Sequence, residues 1–119
     1  MTTQRKDADR VELLQGTLDV LILRTLALQK EHGQGIARAI QETSGNALLV
    51  DHGSLYPALK RLEKKKWIRA EWGVSSNNRR ARFYELTAAG VKQLDRETQR
   101  WHALVAAMGR VLGPEPTGR

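Results

Sequence analysis

The apolar residues of this chain change their period between Lys66 and Thr87, and that change removes most of the folds open to 119 residues. Upstream of Lys66 they recur at helical spacing. From Ile68 to Val74 they alternate, Ser75 to Arg80 is polar turn material, and Arg82 to Leu86 alternates again. A period of two marks a half-buried strand, so a two-stranded hairpin with a basic tip is expected here. Helical spacing returns after Thr87. The fold class expected from this order is mainly α with a small β-hairpin.

Leu18, Val20, Leu21, Ile22, Leu23, Leu26 and Leu28 are apolar on almost every side of a helix, which predicts a first helix buried on most of its faces. Thr17 is its expected N-cap, with Asp19 near the positive end of the helix dipole. The run His32-Gly33-Gln34-Gly35 breaks that helix. Ile36, Ala37, Ile40 and Thr43 mark one face of a short second helix, and Gly45 is its natural stop. Ala47-Leu48-Leu49-Val50 reads as a connector that packs on the core.

A third helix is expected from Ser54 to Lys66. With Ser54 as N-cap, Pro57 falls at the third helical position, where its missing N–H is one of the donors a helix start leaves free. Leu55, Leu59 and Leu62 then face the core, and Tyr56, Lys60, Glu63 and Lys64 point away. Thr87 caps a last helix, Ala88 to Leu112, which Gly113-Pro114 ends. Within it Val91, Leu94, Thr98, Trp101, Val105, Met108 and Leu112 are separated by alternating steps of three and four, a heptad seam. A small domain has little use for such a seam at its edge unless another helix meets it, so a homodimer is expected.

Three helices followed by a hairpin is the order of a winged helix-turn-helix, here carrying a long C-terminal dimerisation helix. The expected organisation is a polar tail over residues 1–10, the winged helix-turn-helix over 11–86, the dimerisation helix over 87–113 and a second tail over 114–119.

Charge then narrows the partner. From Ser54 to Tyr84 there are nine Lys and Arg against Glu63 and Glu71, a surplus of seven that equals the net charge of the whole chain. The remaining residues cancel. Solubility alone would not need such concentration, and one basic helix followed by a basic hairpin tip suggests a polyanion-binding surface.

Several classes drop out. No cysteine is present, which removes disulfides, thiolate chemistry and cysteine zinc sites. The N-terminus has no apolar signal region, and the longest apolar stretch, Leu18 to Leu28, contains Asp19 and Arg24 and is too short for a bilayer. A cytoplasmic protein with no membrane partner is expected. His32, His52 and His102 have no metal-ligand spacing, so neither a metal nor a cofactor is expected. Asp51-His52-Gly53-Ser54 invites a catalytic reading, but Ser54 as a helix cap accounts for it better, and no catalytic residue is assigned. An enzyme is not expected.

The segments HGQGIARAIQE (32–42), GSLYPALKRLEKKKWI (53–68) and NNRRARFYELTAAG (77–90), with the tryptophan-bearing last helix (91–112), resemble the PadR-type transcriptional regulators of the short subgroup with a single C-terminal helix. The resemblance spans about residues 13–113, and its most specific part is GSLYPALKRLE followed by RRARFYELTAAG. It implies a homodimeric winged-helix protein, commonly a repressor, that grips duplex DNA and responds to a small effector. Gln34 departs from the pattern, standing where many members have an aromatic residue.

The candidate DNA-binding residues are Ser54, Tyr56, Lys60, Arg61 and Lys64 on the third helix, and Asn77, Asn78, Arg79, Arg80 and Arg82 on the wing. Lys and Arg can pair with guanine O6/N7 or with phosphate, and a helix N-terminus at Ser54 suits a phosphate. Trp101 is expected to anchor the dimer interface with Val91, Leu94, Thr98, Val105, Met108 and Leu112; the resemblance also implies that it could line an effector pocket. Trp67 and Trp72 are expected to pack in the core or the hairpin. Two other function classes remain beside the regulator: a winged-helix module that binds proteins without sequence-specific DNA binding, and an RNA binder. The latter would want exposed aromatics for stacking, and Tyr56 is the one obvious candidate on the basic face.

Overall fold

The computed structural model describes residues 15–114. The expected N-terminal tail and residues 115–119 lie outside that range. Four helices, α1 (Gln15–Leu28), α2 (Gly33–Thr43), α3 (His52–Lys64) and α4 (Ala88–Leu112), enclose a small antiparallel sheet. Its strands are β1 (Glu31–His32), β2 (Ile68–Val74) and β3 (Arg80–Leu86), in the order β1-β3-β2. The β2–β3 hairpin is in register from Ile68 opposite Leu86 to Val74 opposite Arg80. This is a winged helix-turn-helix followed by a long helix.

The core collects the residues that helical spacing singles out. Leu18, Ile22, Leu23 and Leu26 of α1 meet Ile36 and Ile40 of α2, Leu55, Ala58, Leu59 and Leu62 of α3, and Ile68 and Tyr84 of the hairpin. A fully buried leucine is worth about 1.5–3 kcal/mol, so the three leucines of α3 hold that helix firmly while its opposite face stays free. Burial of α1 is narrower than its composition implies: Val20 and Leu21 are half-buried, and Leu28 at its end is exposed.

Helix boundaries follow the capping chemistry. Gly45, with φ +66°, ends α2: its N–H and that of Asn46 donate to the carbonyls of Glu42 and Gln41. Lys66, a non-glycine residue at φ +65°, ends α3 by the same pair of bonds, its N–H and that of Trp67 donating to Glu63 and Leu62. Two expected caps move. Thr17 lies inside α1, which already runs at Gln15; an interior threonine costs under about 1 kcal/mol and does not stop a helix. Asp51, not Ser54, caps α3, its carboxylate accepting from the Ser54 N–H at 2.8 Å. Pro57 consequently sits at the sixth helical position rather than the third. It offers no N–H to the carbonyl of Gly53, and Gly53 is exposed.

The strand β1 is a correction to the simple break expected at His32–Gly35. Glu31 and His32 pair with Tyr84 and Phe83, tying the start of α2 to the wing. The last helix is tied equally closely. Thr87 caps it by accepting from the Gly90 N–H, and its own hydroxyl lies within hydrogen-bonding distance of the Lys66 and Trp67 carbonyls. Gly90 sits so close to the Trp67 carbonyl that a methyl group there would collide with backbone. Leu94 packs on the core, so it is committed within the chain rather than free at an interface. Beyond it Trp101, Leu104, Val105, Met108, Val111 and Leu112 are exposed by 45–84%.

Candidate nucleic-acid interface

Helix α3 turns two kinds of side chain outward. Lys60 and Lys64 are exposed and, among the described residues, have no carboxylate partner. Tyr56 is 44% exposed and lies against the first turn of α2: a Cβ on Gly33 would stand 2.8 Å from its ring and hydroxyl. The absence of a side chain at Gly33 therefore lets α2 and α3 approach. His52 meets the Tyr56 ring edge-on at 5.8 Å.

Arg61 belongs elsewhere. It faces α1, where its guanidinium donates to Asp19 at 2.8 Å. Burial pushes the Asp19 carboxyl above its ordinary value, and the Arg61 hydrogen bond and charge offset only part of that. Arg61 is thus a structural cation joining α3 to α1, and its expected place among the outward-facing readers is not the one the fold gives it. Ser54 also changes role: the helix N-terminus it was expected to present is occupied by the Asp51 carboxylate.

The wing tip is a short loop. The Asn78 N–H donates to the Ser75 carbonyl and the Ser75 N–H to the Arg79 carbonyl, with Asn78 at φ +59°. Asparagine tolerates this left-handed conformation better than most residues. Arg79 leaves the loop exposed. Arg80, expected in the turn, is the first residue of β3 and stacks on Trp72, its guanidinium carbon 4.7 Å from the ring centroid. Arg82 reaches back to α3 and grips Glu63 through two bonds, at 2.8 and 3.3 Å. That pair links the wing to the outward face of α3. Tyr84 closes the space beneath it, and its burial raises its phenol pKa.

These elements converge on one cleft of about 320 Å³ between the wing and the start of α2. Tyr56, Asn77, Arg79, Arg80 and Arg82 line it, with Gln34, the residue that departs from the family pattern, and with His32, Arg38, Ser75 and Ser76, to which the sequence assigned no part in binding. Only the paired glycines 33 and 35 hinted at a close approach there, and β1 is what brings the approach about. His32 caps α2, its Nδ1 accepting from the Gly35 N–H at 3.2 Å, and it meets Phe83 edge-on. His102 is exposed on α4, far along the chain from both other histidines. Among the described residues no cluster of potential ligands could hold a metal, and no helix is long and apolar enough to cross a membrane.

The model of the PadR-like family of transcriptional regulators matches residues 22–96, a span that runs from α1 across the wing into α4. The chain belongs to that family. It is accordingly a transcriptional regulator rather than an enzyme, and binding DNA is its family's mode of action. A PadR family transcription regulator from Clostridium difficile R20291 superposes with a TM-score of 0.70 at 31% identity, covering 81% of this chain and 98% of that one. A PadR-like transcriptional regulator from Bacillus cereus gives 0.72 at 26% identity, over 86% and 97%. A regulator from Clostridium thermocellum reaches 0.75 at 23% identity, a likeness of fold. Among curated sequences, protein X of Lysinibacillus sphaericus is 29% identical over 92 residues, 77% of this chain and 84% of its own. A 37.1 kDa protein of transposon Tn4556 from Streptomyces fradiae is 39% identical over 93 residues, but the match takes in only 24% of it.

Proposed function

We propose that this PadR-like regulator is a homodimeric repressor that holds a pseudo-palindromic operator through α3 and the wing. The observation that carries the reading is the shared cleft, in which Arg38 of α2, Tyr56 of α3 and Arg79 and Arg80 of the wing open to one side. A major groove about 12 Å wide accepts one helix, and α3 presents Lys60, Lys64 and Tyr56 to it. The wing cations would then lie over the flanking phosphates and minor groove, with Asn77 and Asn78 at the tip. Two such units related by a two-fold axis would enter successive major grooves about 34 Å apart. A cytoplasmic location suits this activity.

The second copy is inferred from α4. Its 25 residues span about 37 Å, yet past Leu94 its apolar side chains find little cover within the chain. Val91, Thr98, Trp101, Val105, Met108 and Leu112 remain from the heptad seam, and Leu104 and Val111 widen it. An exposed apolar strip of this length marks an interaction surface. Between α4 and α1 it borders an open pocket of about 460 Å³ lined by Gly16, Thr17, Val20, Trp101 and Leu104, with the charged pair Glu97 and Arg100 at its side. A small effector seated there would change DNA affinity only by preferring one spacing of the two DNA-binding units.

Selection of bound duplexes from a random pool at physiological salt tests the proposal. Enrichment of a two-fold-symmetric site is expected. Weak binding without sequence preference, erased by salt, would refute it and favour the protein-interaction module instead.

A further inference from the structure

Trp72 is the large side chain that the wing does not bury. It is 59% exposed, and Val74 beyond it is 66% exposed. Its position is not incidental to the sheet. Residues 68, 70, 72 and 74 of β2 share one face with Leu86, Tyr84, Arg82 and Arg80 of β3, by the register of the hairpin. At the base that face enters the core through Ile68 and Tyr84; towards the tip it continues as Trp72 and Arg80. Core packing therefore cannot account for the indole.

The neighbouring cations separate into two kinds. Arg69 is held by Glu85 and Arg82 by Glu63, each at 2.8 Å. Arg80 has no carboxylate partner among the described residues and instead lies over the Trp72 ring at 4.7 Å. Its backbone is fixed as well, since it pairs with Val74 in the ladder. Arg79, one residue earlier, leaves the loop with no such support.

We propose that Trp72 is a positioning residue for DNA recognition: its indole holds the Arg80 guanidinium extended for entry into an A·T-rich minor groove beside the α3 site. An arginine that is already flat and aimed loses less side-chain freedom on binding than one free in solvent. Narrow A·T-rich minor grooves concentrate negative potential and take an inserted arginine. The inference rests on the DNA-binding reading above and adds which wing cation reads groove shape and what orients it.

The test compares wild type with Trp72→Ala, Trp72→Leu, Trp72→Phe, Arg80→Ala and the Trp72→Ala/Arg80→Ala double variant. Affinity is measured across a salt series on the selected duplex, with and without an A·T run under the wing. Trp72→Ala and Trp72→Leu should bind about five-fold more weakly and lose the preference for the A·T run. Their salt slope should stay at the wild-type value, because every charge remains, and Trp72→Phe should recover most of the loss. Arg80→Ala should lower the slope by about 0.9 per protomer. Removing Trp72 as well should then cost nothing more. Equal binding by wild type and Trp72→Ala, or the same loss from Trp72→Ala with and without Arg80, would overturn this proposal alone. A wild-type chain that enriches no duplex would overturn the DNA-binding reading and this proposal with it.

Discussion

Replacing Arg61 by methionine separates the structural cation of α3 from those proposed to face DNA. Methionine keeps an apolar stem along α1 and removes the charge that faces Asp19. The two side chains are 31% and 17% exposed, so the pair lies between a surface salt bridge, worth up to about 1 kcal/mol, and a buried one, whose rupture costs about 3–5 kcal/mol. A loss of about 2 kcal/mol at pH 7 is expected. For a domain of this size that lowers the thermal midpoint by about 10 °C, measured at fixed protein concentration.

The pH dependence identifies the cause. Burial raises the Asp19 pKa above its ordinary 3.8 even with Arg61 present, and without Arg61 it rises further. A carboxyl whose pKa is higher in the folded chain supports folding below the unfolded value and weighs against it once pH passes the folded value. The deficit of Arg61→Met should therefore be complete at pH 7 and shrink as pH falls through the raised Asp19 pKa towards 3.8. Asp19→Asn in the same chain should recover much of the loss at pH 7. A deficit that is the same at pH 7 and pH 4 would mean lost packing rather than an unpaired carboxylate. The salt slope of DNA binding should not change; a fall of about one unit would return Arg61 to the DNA surface.

Gly90→Ala should destabilise the chain by at least about 1–3 kcal/mol in denaturant unfolding, because the new methyl meets the Trp67 backbone, which cannot give way, and stands 2.8 Å from Leu86 Cδ1. Arg79→Ala/Arg80→Ala should lower the salt slope by about one to two units per protomer at little cost in stability; an unchanged slope removes the wing from the DNA interface. If α4 forms the proposed dimer, the unsubstituted chain should sediment as a dimer and Val105→Asp with Met108→Asp as a monomer in analytical ultracentrifugation, since both side chains are half-exposed and neither supports the core.

What could be read ahead of the structure was whatever depends on neighbours in sequence. Leu55, Leu59 and Leu62 repeat at helical spacing and are buried; Gly45 stops α2 because few other residues take its conformation; Thr87 caps α4 three residues before Gly90. What could not be read depends on partners brought from afar. Asp19 is 42 positions from Arg61, so an outward cation and an inward one look alike in the string. Two-residue β1 has no period of its own and exists because Tyr84 and Phe83 offer it an edge. Asp51 and Ser54 are both good caps, and only the path of the connector decides between them. Leu94 fits the heptad seam equally well whether its cover is the core or a second helix.

The basic segment accordingly carries less free charge than its sequence implies. Of its nine cations, Arg61, Arg69 and Arg82 are held by carboxylates, and Lys65 is turned towards α1, where its charge acts on Asp19. Lys60, Lys64, Lys66, Arg79 and Arg80 remain, and Arg38 joins them at the cleft from outside the segment. Each phosphate contact contributes about 0.9 to the salt slope, so about five or six free cations set a ceiling near five per protomer. The surplus of seven is thus a poor guide to the number of contacts. Its pairs do different work: Glu63 and Arg82 fix the angle between α3 and the wing, and Asp19 and Arg61 fix α3 on α1. A slope well above five per protomer would require Arg82 to leave Glu63 for a phosphate. In that case the lock between α3 and the wing would itself open when DNA binds.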